Sequence, residues 1–272
     1  MGEWGEFKFH PFVQPIVCHP RQRIYIDMYY VVVTPRALDE RRRFELAGEW
    51  EDKPSSFWTE EVTYIDTKRF VQPQTKAQRR RMRQSKVRHH LRTASERNES
   101  TYVVPKKARL LTGIPSVEIT AAVHKNRIIM WRESEASWSG AEAAAMYADL
   151  GKNLRRVLGD RRSYRVVEDG DPKGFQSNKG KAAKTAARIT SWKLPPRSPD
   201  WMPLDYSLWA IIEDKVLASG PEGHESKQQY RTRLRTTALG LPRKMVAGAI
   251  KQMKGRIKKT KANKGKYIMG TD

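Results

Sequence analysis

Alternation of apolar and polar residues predicts the strands of this chain. Residues 62–66 (VTYID) alternate and end on an acid, as a strand that delivers a carboxylate does. Residues 117–123 and 127–131 are two further β-rich runs, and the three residues between them indicate a hairpin. Residues 164–169 (YRVVED) predict another strand that ends on an acid, and 190–194 predict a short strand ahead of two prolines.

Helical spacing of apolar residues predicts the segments between these strands. Ser139 and Glu142 have the spacing of a capping box. The apolar residues that follow recur every four positions and are Met146, Leu150, Leu154 and Leu158. Residues 177–188, rich in Lys and Ala, predict a second helix. Pro203 is well placed to begin a third, which runs to about residue 216.

The order of these elements is strand, hairpin, helix, strand, helix, short strand, helix. It predicts an α/β fold, a ribonuclease-H-like mixed sheet flanked by helices and carrying basic extensions. We expect an N-terminal segment at 1–57, a core at 58–218 with a basic insertion at about 67–95, and a basic helical C-terminal extension at 219–272.

Charge divides the 272-residue chain in the same way. The net charge is +23, from 53 Lys and Arg against 30 Asp and Glu. Residues 67–95 contain ten bases and residues 226–271 contain fourteen, and neither segment contains an acid. The other 29 bases are balanced by 30 acids, so the basic excess lies in two segments around a nearly neutral body. Such an excess favours a polyanionic partner, although a charge run by itself is also typical of a solvated tail.

We therefore predict that basic side chains of these two segments contact nucleic-acid phosphates. The candidates are Lys76, Arg79, Arg80, Arg81, Arg83, Arg88, Lys254, Arg256, Lys258 and Lys259. Other classes are excluded by what the chain lacks. Its single cysteine, Cys18, allows no intramolecular disulfide and no multi-cysteine zinc site. No apolar run approaches the roughly 20 residues that span a bilayer, so no membrane partner is expected. No glycine-rich phosphate loop is present.

Three acids are the candidate catalytic residues. Asp66 and Asp169 end two predicted strands, and Asp205 lies in the first turn of the predicted third helix. If the two strands are neighbours, all three carboxylates meet at one edge of the sheet. Carboxylates are the ligands of hard cations, and two Mg²⁺ ions about 4 Å apart can activate a nucleophile and neutralise a leaving oxygen. Each acid also has an ordinary structural interpretation, at a strand end, a turn or a helix start.

Other acids compete with these three. Asp27 also ends a strand-like run, but it has neither a Phe four residues later, as Asp66 has in Phe70, nor an upstream Phe-Trp pair like residues 57–58. Asp171 and Asp200 lie close to the second and third candidates. We interpret Asp200 as a residue that stabilises the turn before the helix, and Asp171 as a neighbouring or surface acid.

Three blocks of sequence resemble the catalytic domain of Tc1/mariner transposases, which belong to the DDE/D superfamily. Residues 57–70 (FWTEEVTYIDTKRF) are similar to the first block, and 166–172 (VVEDGDP) are similar to the second. Residues 198–209 (SPDWMPLDYSLW) are similar to the third block, with Asp as the last acid, as in the mariner branch. The resemblance covers roughly residues 40 to 268. One departure is Gly174, at a position where the family usually carries a histidine.

The resemblance implies a function and a site. Asp66, Asp169 and Asp205 would be the catalytic residues and the ligands of two Mg²⁺ or Mn²⁺ ions, which drive DNA strand cleavage and strand transfer. It further implies DNA as partner, a homodimer on paired element ends and, in a eukaryote, a nuclear protein. Residues 1–57 would be a remnant of, or a linker from, a DNA-binding module. The alternative is an inactive or domesticated transposase fragment that binds DNA without sequence preference.

Overall fold

The computed structural model describes residues 35–75, 77–79, 82, 115–134, 138–196, 198–221 and 224–268. Five strands lie in these parts of the chain, and they are β1 (Val62–Val71), β2 (Ser116–His124), β3 (Arg127–Glu133), β4 (Tyr164–Glu168) and β5 (Ile189–Lys193). All five form one sheet in the order β3-β2-β1-β4-β5. β1 pairs antiparallel with β2 and parallel with β4, and β5 continues the parallel half. The predicted mixed α/β sheet is therefore confirmed.

The first strand is longer than its sequence pattern predicts. β1 does not end at Asp66, because the strand continues to Val71 and its second half pairs with the start of β2. Asp66 lies opposite Ala121, in the middle of the ladder. The first five residues of the predicted basic insertion therefore belong to the sheet.

The helices cover both faces of the sheet. They are α1 (Pro35–Glu51), α2 (Gly140–Leu158), α3 (Asn178–Ala186), α4 (Trp209–Ala218), α5 (Lys227–Leu239), α6 (Arg243–Lys251) and α7 (Met253–Ala262). α2 begins as predicted, since the Ser139 side chain accepts a hydrogen bond from the Glu142 backbone N–H. Its buried residues Met146, Leu150 and Leu154 pack on one face of the sheet. None of the helices in the described parts of the chain has the length and apolar composition that crossing a bilayer requires.

The opposite face of the sheet is covered by elements from both ends of the described chain. Trp50 of α1, Ile250 of α6 and Ile257 of α7 belong to the same buried cluster as Val62 and Tyr64 of β1. Burial of a large apolar side chain stabilises a fold by about 1.5–3 kcal/mol. α1 and the C-terminal helices thus complete the core on the face of the sheet from which α4 rises.

Candidate active site

Asp66 is held at the base of a cleft by an indole. Asp66 is half-buried in β1, and the Trp209 Nε1–H donates a hydrogen bond to Asp66 Oδ2 at 2.6 Å. Loss of water around the carboxyl raises the pKa of Asp66, and the Trp209 hydrogen bond opposes this rise. The side chain is therefore oriented from α4 while its charge is disfavoured by its surroundings.

Asp205 comes to Asp66 from a wide helical turn. Residues Leu204–Leu208 form a π-helical turn that leads into α4, and the Asp205 backbone N–H donates to the Met202 carbonyl oxygen at 2.9 Å. The Asp205 carboxyl shares a hydrogen bond with that of Asp66. The removal of water from the carboxyl, followed by the negative charge of Asp66, raises the pKa of Asp205 to about 8.

Asp169 reaches the same cleft from the neighbouring parallel strand. It directly follows β4, is exposed, and accepts a hydrogen bond at Oδ1 from the Gly170 backbone N–H at 2.6 Å. Asp66 and Asp169 both line a cleft of about 200 Å³. The charge of Asp169 contributes to raising the pKa of both Asp66 and Asp205. The structure therefore brings the three predicted acids together at the carboxyl end of β4, beside the middle of β1.

The chemistry of this group fits a divalent cation, but its present spacing does not enclose one. Across the described residues, no three His, Cys, Asp or Glu side chains lie close enough together to hold an ion. Asp66 and Asp205 are in contact, whereas Asp169 is turned to its own loop. A cation bound between these carboxyls would stabilise their charged forms in the partly dry cleft, and hard cations prefer oxygen ligands.

The loop after β4 is built around Asp171. Its Oδ2 accepts hydrogen bonds from the Trp138 indole at 2.6 Å and from the Gly174 backbone N–H at 2.7 Å. Burial alone would raise the pKa of Asp171, but these hydrogen bonds hold it below its ordinary value. A Cβ atom at Gly174 would lie 2.3 Å from the Trp138 ring, which explains why this loop has no room for a histidine at that position. Asp171 thus shapes the wall of the cleft, as its predicted role as a neighbouring acid implies.

The end of β4 is anchored by a buried ionic network. Glu168, which precedes Asp169, is fully buried and accepts a hydrogen bond from Lys184 Nζ at 2.5 Å. It also accepts hydrogen bonds from the Tyr147 and Ser191 hydroxyls. Because α2, α3 and β5 all hold one carboxylate, the backbone that presents Asp169 is fixed from three sides.

Asp200 is a structural acid, as the sequence indicates, and its partner lies far away in the chain. It is fully buried, and Arg43 of α1 binds both of its oxygens, with Nη1 to Oδ1 at 2.7 Å and Nη2 to Oδ2 at 2.5 Å. Arg43 also donates from Nε to the Gly265 carbonyl oxygen at 2.8 Å, and the Ile268 backbone N–H donates to Asp200 Oδ2 at 3.0 Å. This Arg43–Asp200 clamp fixes the turn five residues before Asp205.

The predicted DNA-contacting residues have different surroundings. Lys76, Arg80, Arg81, Arg83 and Arg88 lie outside the described residues. Arg79 is half-buried, with its guanidinium against Gly220. Lys258 and Lys259 are exposed on α7, and Lys254 is half-buried.

One of the predicted phosphate-contacting residues, Arg256, is buried. It is 5 % exposed, its guanidinium lies 4.0 Å from the centre of the Tyr206 ring, and its Nη1 donates to the Asp200 carbonyl oxygen at 3.4 Å. This burial does not fit the predicted phosphate contact, because the cation is used inside the protein.

Sequence reasoning missed the residues that orient Asp66 and shift the pKa of Asp205. Trp209 reads as a core residue, yet it supplies the hydrogen bond to Asp66. Its position four residues after Asp205 was the available signal, since residues so spaced share a helix face. Lys68 was counted only as part of a basic run, but its charge lowers the pKa of Asp205 against the larger effect of burial.

Fold and site together define a ribonuclease-H-like domain with a carboxylate cleft. No protein-family model and no curated protein sequence matches the chain. Solved structures do match. The crystal structure of the catalytic domain of Mos1 mariner transposase shares the fold with a TM-score of 0.61 at 15% identity, over 87% of this chain and 97% of that one.

Two further structures of the same transposase are similar as well. The Mos1 paired-end complex with the left transposon end matches with a TM-score of 0.62 at 14% identity, over 94% of this chain and 68% of that chain. The Mos1 catalytic domain with raltegravir and Mn matches with a TM-score of 0.61 at 14% identity, over 87% of this chain and 98% of that one. At this identity the likeness is one of fold. The fold of the described chain is that of a mariner transposase catalytic domain.

Proposed function

We propose that this chain is a DNA transposase catalytic domain of the Tc1/mariner type, which cleaves DNA strands and transfers them with the help of divalent metal ions. The observation that carries the proposal is that Asp66, Asp169 and Asp205 lie together at the carboxyl end of β4, with the first two lining one cleft and the third hydrogen-bonded to Asp66. The similar solved structures add support, since they are Mos1 complexes with a transposon end, with Mn and with Mg.

Asp66, Asp169 and Asp205 would hold the metal, as two Mg²⁺ or Mn²⁺ ions. Bound there, the ions would activate the attacking water or hydroxyl and neutralise the leaving oxygen. The chain's own residues prepare the site. The Trp209 indole orients Asp66, and the Arg43–Asp200 clamp sets the turn before Asp205.

DNA is the proposed substrate, and the basic side chains supply its contacts. Lys258 and Lys259 are exposed on α7, whereas Arg256 is buried. Together with Lys254, Arg79 and the bases of residues 76–88 they would bind backbone phosphates without reading sequence. A homodimer bridging two element ends and, in a eukaryotic cell, a nuclear location complete the proposal.

Strand cleavage and metal binding test the proposal together. Wild-type protein should nick supercoiled DNA with Mg²⁺ but not with EDTA, and Asp205→Asn should lose about 1,000-fold or more in rate, which is the loss seen when one group that stabilises transition-state charge is removed. Asp52→Asn is the matched control, because Asp52 is exposed and its replacement changes the net charge equally.

Equal nicking by Asp205→Asn and wild type would refute the assignment of the third acid. Mn²⁺ titration by calorimetry gives a second readout, with heat expected from wild type and from Asp52→Asn only. If the wild type binds DNA but neither nicks it nor gives a heat signal with Mn²⁺, the alternative is favoured, an inactive transposase fragment that binds DNA.

A further inference from the structure

A second cleft, lined by arginines, lies where β4 and β5 begin. Its volume is about 640 Å³, and it is lined by Arg161, Arg162, Arg165 and Arg188 together with hydroxyl groups that include those of Ser163 and Thr190. None of its lining residues is acidic. We refer to it as the arginine cleft.

The arginine cleft is separate from the carboxylate site. Tyr164 is the first residue of β4, and Asp169 follows the last. Five strand residues at about 3.3 Å each place the two sites roughly 17 Å apart, at opposite ends of β4. No residue lines both clefts.

The charge of the arginine cleft is only half neutralised. Arg165 pairs with Glu61 at 2.5 Å, and Arg188 pairs with Asp160 at 2.8 Å. Arg161 uses its Nε to cap the Leu158 carbonyl oxygen at 3.2 Å, which leaves its other guanidinium nitrogens available. Among the described residues, these four guanidinium groups therefore face two carboxylates. Guanidinium groups and hydroxyls are the side chains that bind phosphate oxygens well.

The backbone holds these groups in place before any ligand arrives. Arg188 has a φ of +56°, a left-handed conformation that residues other than glycine adopt rarely. Its Nη1 donates to the Arg161 carbonyl oxygen at 3.2 Å, and its own carbonyl oxygen accepts from the Tyr164 backbone N–H at 2.8 Å. The Ser163 and Thr190 hydroxyls are 2.6 Å apart. Backbone strain held by surrounding contacts is concentrated at functional sites.

We propose that the arginine cleft binds phosphate groups of a DNA backbone segment, separately from the carboxylate site. Its lining offers guanidinium and hydroxyl groups but no apolar wall against which a nucleotide base would stack, apart from Ile189. The ligand class is thus a run of phosphates and not a nucleotide. This inference rests on the proposed function, to which it adds a second place of contact with DNA.

The salt dependence of DNA binding tests the proposal. Each phosphate contact that a protein makes contributes about 0.9 to the slope of log K against log salt concentration. Arg161→Gln/Arg162→Gln should lower the magnitude of that slope by about 1–2 and weaken binding at low salt about tenfold or more. Arg41→Gln/Arg42→Gln, exposed on α1 and outside both basic segments, removes the same charge away from the cleft and is the control.

Fluorescence anisotropy with a labelled duplex in EDTA supplies the measurement, and circular dichroism shows whether each variant is folded. A decrease no larger than that of the control variant overturns the proposal. Inorganic phosphate alone distinguishes the source of the ligand. If it binds the wild type but DNA affinity is the same in cleft variant and wild type, the cleft is a site for small phosphates and the DNA assignment is wrong.

Because EDTA removes metal, this assay reads the arginine cleft whether or not the chain cuts DNA. A wild type that fails to nick would refute the proposed catalysis and leave the slope measurement valid. Nicking with an unchanged slope would refute the arginine cleft alone.

Discussion

Replacement of Arg43 by methionine should destabilise this protein more than any surface substitution on the same helix. Arg43 is 2 % exposed and Asp200 fully buried, and two hydrogen bonds of 2.7 and 2.5 Å join them. Removal of one partner of a buried pair leaves an uncompensated charge and costs about 3–5 kcal/mol. In a domain of this size each kcal/mol lowers the Tm by about 2–4 °C, so we expect a decrease of roughly 6–20 °C.

The same helix provides the control. Arg41 pairs with Glu45 at 2.8 Å, but their side chains are 75% and 53% exposed. An exposed pair four residues apart contributes about 0.5 kcal/mol or less, so Arg41→Met should change the Tm by no more than about 2 °C. Arg43→Met/Asp200→Asn should recover part of the loss, because it removes the stranded carboxylate as well.

Thermal unfolding followed by circular dichroism, with urea unfolding as a second measure, compares the four proteins. The reasoning fails if Arg43→Met and Arg41→Met lose the same stability. It also fails if the double variant is less stable than Arg43→Met, since the stranded charge would then not be the cause of the loss.

Three further predictions concern the carboxylate cleft around Asp66. Asp205→Asn should stabilise the metal-free protein at pH 8.5 by about 1–2 kcal/mol, after allowance for solvent screening, and should have almost no effect near pH 3. The sign follows because the raised pKa makes the folded protein hold a proton that the unfolded chain releases, so wild-type stability is full below the ordinary pKa of 3.8 and is lost as the pH rises through about 8. Melting curves in EDTA at both pH values test this, and an equal gain near pH 3 would contradict it. Trp209→Phe should weaken Mn²⁺ binding about tenfold or more, whereas Trp131→Phe, whose buried indole N–H finds no hydrogen-bond partner among the described residues, should not. Equal Mn²⁺ affinities in calorimetry would refute the orienting role. Gly174→Ala should destabilise the fold by at least 1 kcal/mol, because the new methyl group meets an indole ring. Gly248→Ala, on a helix with open space around it, should raise the Tm slightly.

Local patterns predicted most of the sheet. The β-rich runs in residues 117–131 and in residues 164–169 correspond to strands in the structure, and β4 ends one residue before Asp169. The capping serine before α2 is likewise a local signal. Such features depend on residues within a few positions of one another, and a single sequence displays them directly.

The remaining features depend on contacts between distant residues. The second half of β1 carries Lys68 and Arg69, so it reads as a basic run until β2 arrives to pair with it. Arg256 likewise belongs to a charge run, and only the fold places it over the Tyr206 ring. Arg43 and Asp200 are 157 residues apart, and no local pattern connects them. Residue type and spacing therefore predict three acids as candidates, but they do not predict which side chains orient them.

The Arg43–Asp200 clamp has a consequence for how the protein is made. Arg43 joins the Gly265 carbonyl oxygen across 222 positions of sequence, while also holding the turn that precedes Asp205. Contacts between such distant positions form late, because a long loop must close before they stabilise the fold. A ribosome synthesises the chain from its N-terminus, and domains fold as units as they emerge. We therefore expect the third acid to reach its place only after residue 265 has been made, so that an unfinished polypeptide carries all three acids but cannot yet assemble them.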